Sequence, residues 1–155
     1  MTELSGKGIE LYMRYDKILP SAQGMAAYAD MAFVLYHTGV CGLYDLKTRS
    51  SRPLASFPLG SYNTGTPTKD YLNHSNQCMF SGEHLDGNPL PLLYVTAGYG
   101  TGRDKDGFFY RCAVEDIHVK RDESGGCVET ESTLVQTITF SDEGIGDTKY
   151  EAPCW

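Results

Sequence analysis

The residues whose types and spacing could carry chemistry gather in the second half of the chain. His74, Asn76 and Cys78 alternate, so on an extended strand their side chains share one face. An imidazole and a carboxamide placed this way can contact a ligand or offer donors to a metal ion. The same two side chains can equally cap a strand start by hydrogen bonding to the backbone. Cys78 acting as a nucleophile activated by His74 would need a third group to orient the imidazole, and the sequence identifies none. Further on, AGYGTG (Ala97 to Gly102) follows a strand, as phosphate loops do. A phosphate loop leads into a helix N-terminus, however, and here a second strand follows. The stretch therefore reads as a contact loop, with Tyr99, Arg103 and Phe108 on or beside it. Asp104, Asp106 and Gly107 look like the start of a calcium loop, but that pattern needs a ligand at Gly102 and a glutamate at Ala113. Asp106-Gly107 fits a hairpin turn better. His37, His84 and His118 have no metal-ligand spacing to another histidine. The expected ligand-binding residues are His74, Asn76, Tyr99 and Arg103; no catalytic set is complete, and the metal and cofactor are left open.

The elements that must position these residues are strands. FVLYHTGVCGLYDL (Phe33 to Leu46) is two apolar runs of β-favouring residues broken at Thr38-Gly39, which predicts a tight antiparallel hairpin. It recurs downstream: LLYVTAG (Leu92 to Gly98) matches FVLYHTG, and CAVEDI (Cys112 to Ile117) matches CGLYDL. With QGMAAYAD (Gln23 to Asp30) before it and LASFPLGS (Leu54 to Ser61) after it, the hairpin belongs to a first four-stranded meander over residues 23–61. NQCMF (Asn76 to Phe80) and VQTITF (Val135 to Phe140) complete a second over 74–141. Position by position, the separations between the two sets are 53, 59, 71 and 81 residues. They grow only between strands, which places the extra residues in Ser81 to Pro91, Tyr99 to Gly107 and His118 to Thr133. An insertion inside a strand would flip every later side chain to the other face. A lead-in strand is expected at Ile9 to Tyr15, within residues 9–22, and residues 142–155 would begin a third unit.

The chain is long enough for one domain with a real core: 155 residues, 41% hydrophobic and 12% aromatic. Its net charge of −7 is carried by Asp122 to Glu151, while the remainder is balanced. No basic stripe is present to neutralise phosphates, so nucleic acid is not an expected partner. The acidic segment reads as a solvated loop region. Five cysteines, Cys41, Cys78, Cys112, Cys127 and Cys154, form no close pairs; Cys41, Cys78 and Cys112 lie within apolar runs and read as small buried hydrophobes in a reducing compartment. The start, MTELSGKGIELYMRYDK, lacks the features of a signal peptide, and no apolar run has transmembrane length. A soluble cytoplasmic protein without a membrane partner is the default expectation.

Tandem four-stranded antiparallel units resemble the blades of a β-propeller. More narrowly, HSNQCMFSGE followed by PLPLLYVTAG is similar to the H-x-N-x-x-x-F-S and P-L-L-Y-V pattern of bacterial six-bladed propeller-like proteins of uncharacterised function. The matching positions are His74, Asn76, Phe80 and Ser81, then Pro91 to Val95. The resemblance spans Gln23 to Phe140, while the WD40 and kelch signatures are absent. It implies an all-β fold whose blades present their first strands to a central channel, with His74 and Asn76 on the channel side. Two units do not close a ring. Further blades in a longer chain, self-association, or a compact barrel or sandwich are the three ways to cover the faces left over. The expected function is a binding scaffold for a protein or small-molecule ligand. The alternative is a metal-assisted hydrolase of the propeller lactonase kind, with its site only partly present here.

Overall fold

The structure, a computed structural model, describes residues 22–36, 39–48, 50, 52–61, 75–98 and 110–140. The expected lead-in strand at Ile9 to Tyr15 and the residues from 141 onward lie outside these. Among the described residues the fold is all-β, with no helix. The strands are β1 (Ala22–Tyr28), β2 (Met31–Tyr36), β3 (Val40–Asp45), β4 (Ala55–Pro58), β5 (Ser75–Phe80), β6 (Leu93–Gly98), β7 (Tyr110–Arg121) and β8 (Cys127–Phe140). They form two antiparallel four-stranded sheets in the orders β1-β2-β3-β4 and β5-β6-β7-β8, each a simple meander. Within each sheet every strand pairs with its successor, as antiparallel neighbours can without crossover connections. The expected break at Gly39 is a turn: Gly39 has φ 78° and its N–H donates to Tyr36 O at 2.9 Å.

The sheets lie face to face, with β1 beside β5 and β4 beside β8. Between them sits the core, built from Ala26, Phe33, Leu35, Cys41, Leu43 and Phe57 of the first sheet and Leu93, Val95, Ala113 and Ile117 of the second. Phe33 and Phe80 meet across this boundary edge to face, with ring centroids 5.1 Å apart. A second cluster, Ala32, Val34, Tyr36 and Tyr44, occupies the far face of the first sheet. β2 and β3 are thus apolar on both faces, which is why their sequence reads as a continuous run and not as an alternation.

The ladders match the two sheets residue by residue. In each first strand the register slips at the second residue, at Gln23 in β1 and at Asn76 in β5, 53 positions apart. Leu35 faces Cys41 as Thr96 faces Cys112, and Cys41 faces Phe57 as Cys112 faces Ile138, giving separations of 61, 71 and 81. Three of these equal the separations read from sequence. The second strand differs by two residues, 61 in place of 59, a slide that keeps every side chain on the same face. With this match, the far-face residues Val34 and Tyr44 of the first sheet correspond to Val95 and Glu115 on the near face of the second. The sheets are stacked front to back.

One expectation is corrected. His118 to Thr133 is not an inserted turn region, because β7 and β8 run through it as a long hairpin that turns only at residues 122–126. The fourteen-residue β8 therefore makes half of the acidic segment a strand and not a loop. The alternation of β8 is interrupted at Val135. Glu115 faces Leu134 while Val114 faces Gln136, so Val135 is an extra residue that switches the side-chain faces of β8.

Candidate functional site

Of the sequence-predicted ligand residues, His74, Tyr99 and Arg103 lie outside the described residues, as do His37, Asp104, Asp106 and Gly107. Asn76 lies in β5 at the register slip. Backbone register brings the flanks of this set together at one end of the second sheet: Ser75 faces Ala97, Gly98 faces Tyr110, and Tyr110 faces Phe140.

At the opposite end, the structure assembles polar groups that the sequence reading did not join. β6 begins at Leu93 and borders β7 only as far as Glu115, so from Asp116 onward β7 has lost that neighbour. Asn88, on the loop between β5 and β6, takes its place. Its Nδ2 donates to Ile117 O at 2.9 Å and to the Asp116 carboxylate, while its Oδ1 accepts from Leu90 N at 3.0 Å. One buried carboxamide thus completes a strand edge and fixes its own loop. Asp116 uses its other oxygen to hold His118 Nε2 at 2.9 Å, and His84 Nδ1 stands 3.3 Å from Asn88 O. His84 is also edge-on to Tyr28 of the first sheet. An exposed imidazole oriented by a shielded carboxylate has one ring nitrogen left for a proton or a ligand. Among the described residues, however, no three His, Cys, Asp or Glu side chains gather as metal ligands.

On the other face of β7, Glu115 is fully buried, and its carboxylate accepts three hydrogen bonds of 2.9 Å: from Gly60 N, Ser61 N and Ser132 Oγ. Burying a carboxylate costs several kcal/mol, and charge-assisted bonds of about 1.5–3 kcal/mol each offset it. The sequence did carry a signal, since Glu115 alternates with Ala113 and Ile117 in an apolar strand and so points inward. Beside it, Ser61 Oγ is buried without a hydrogen-bond partner among the described residues. Ser61→Ala is therefore expected to raise stability by up to about 1 kcal/mol, because it removes a desolvated hydroxyl and leaves the Ser61 N–H in place. A lowered thermal midpoint would contradict this.

Cys41, Cys78 and Cys112 are apolar filling. Burial pushes the Cys41 thiol well above its usual range, Cys78 to about 12 and Cys112 to about 11. Burial thus disfavours the Cys78 thiolate, which argues against a nucleophilic role. Maleimide should leave Cys41, Cys78 and Cys112 unlabelled in the native protein and label them after denaturation, as read by peptide mass; native labelling of Cys78 would refute the assignment.

Comparison with family models, curated proteins and solved structures finds no match to this chain. Among the described residues no helix is long and apolar enough to cross a membrane.

Proposed function

We propose that this chain is a binding scaffold of blade-like four-stranded units, with its ligand contacted by His74, Asn76, Tyr99 and Arg103 at one end of the second sheet. The observation that carries the reading is the pairing of Ser75 with Ala97 and of Gly98 with Tyr110, which sets side by side the strand ends next to His74 and Tyr99 in sequence. A bulge supports it too. Extra residues of this kind re-aim a side chain and recur beside binding sites, and the slip at Asn76 lies in this set.

The propeller likeness belongs to the same proposal. Its support is the front-to-back stacking of two four-stranded meanders with β1 against β5 and β4 against β8, the relation that neighbouring blades have. A ring would need further units, from a longer chain or from copies of this one.

The scaffold and the metal-assisted hydrolase part on one measurement. Purified protein dialysed against calcium and zinc should hold neither in stoichiometric amount by elemental analysis. Stoichiometric metal that is lost in Asn76→Ala would overturn the scaffold reading. In a fragment screen by NMR, amide shifts should concentrate at residues 75–77, 96–98 and 110–112. Hits confined to the Asn88 end would move the site.

A further inference from the structure

The first sheet hands its last strand to the second through a single carboxylate. Beyond β4, Leu59 N still donates to Gly39 O at 3.0 Å, but Gly60 and Ser61 have left that sheet and lie on β7 and β8. Glu115 Oε2 takes Gly60 N and Ser132 Oγ, and Oε1 takes Ser61 N, each at 2.9 Å. Gly60 lies so close that a Cβ there would stand 2.2 Å from Leu134 N. The other joins between the sheets differ in kind. Where β1 and β2 meet β5 they are apolar, Tyr28 and Phe33 against Phe80, and at the tip of β7 Arg121 stands 3.8 Å from Asp30. Apolar contacts are non-directional and tolerate sliding. Two successive N–H groups on the two oxygens of one carboxylate fix both distance and angle.

We propose that Glu115 is a clasp: it locks the β4 side of the first sheet to β7 and β8, and its release frees residues 60 and 61 while both ladders remain paired. The clasp is local to this junction. The place corresponding to Glu115 in the first sheet is Tyr44, whose hydroxyl is hydrogen-bonded to that of Tyr36 at 2.8 Å. Opening is favoured as a discrete step, because a half-withdrawn carboxylate would be neither hydrated nor fully bonded. When closed, the clasp sets where the chain leaves the first sheet on its way to His74, so it orients the two sheets and fixes the start of the stretch joining them. It holds whether or not a ligand binds near His74.

Amide hydrogen exchange of the full chain, measured by NMR, tests this directly. Glu115→Gln keeps the shape of the side chain but turns an N–H toward the donors. It should speed exchange at Gly60 and Ser61 by about tenfold or more, with the amides of β2, β3, β6 and the first half of β7 at wild-type rates. Ser132→Ala, which removes one of the three donors, should give a smaller rise at the same two amides. Unchanged protection at Gly60 and Ser61 would overturn the clasp. So would a uniform rise through both sheets, which would make Glu115 a general contributor to stability. If Glu115→Gln does not fold, Ser132→Ala decides by the same criterion.

Discussion

Gly60→Ala should cost about 3 kcal/mol or more of folding stability, read as a lower urea midpoint at unchanged slope. The added Cβ would stand 2.2 Å from Leu134 N, 2.7 Å from Thr133 C and 2.8 Å from Thr133 Cα. All three atoms are backbone, held in β8 by the ladder to β7, so no side chain can swing aside. Relief must come from moving the strand end away from β8. That movement draws Gly60 N and Ser61 N off Glu115 and leaves a buried carboxylate with fewer donors. The steric and electrostatic losses therefore arise together. Gly82→Ala is the matched control, since a Cβ there meets nothing within 4 Å, and it should change stability by less than about 0.5 kcal/mol. Equal midpoints for the two variants would mean that β4 does not run onto β8.

Which parts of this architecture could be read in the sequence follows from how each strand is buried. The hairpin at Phe33 to Leu46 was legible because apolar β-formers flank a turn glycine there. The two-residue error in matching β2 to β6 has the same origin. Both strands are mostly apolar, so sliding one by two residues changes no face and little of the composition, and the ladder fixes the register. The β7–β8 hairpin failed for the opposite reason. Its outer face carries His118, Lys120, Glu129 and Glu131, charges that resemble a loop, while its inner face places Ile117, Val119 and Cys127 against the core. Alternation was present, but net charge masked it. The polar constellations were less accessible still, because Asn88 meets Asp116, and Gly60 meets Glu115, only through folding: the pairs are 28 and 55 residues apart in sequence. Nothing local in the sequence specifies them.

The core between the sheets makes the second large prediction. Phe33 is fully buried on β2, a central strand, and its ring meets Phe80 on β5 at 5.1 Å with the planes 78° apart; Phe80 in turn tilts against Tyr28 at 5.7 Å. Phe33→Ala should cost about 3–5 kcal/mol, from lost burial, the cavity left behind and the missing aromatic pair. Phe33→Leu should recover most of this, because it refills the space without restoring the edge-to-face contact. Met25, exposed on the neighbouring strand, is the control: Met25→Ala should change stability by less than about 0.5 kcal/mol. A domain of this size has only about 5–15 kcal/mol in hand, so circular dichroism should show Phe33→Ala melting well below the native protein. Since Phe33 and Phe80 belong to different sheets, a loss below about 1 kcal/mol would mean that the sheets do not share a core.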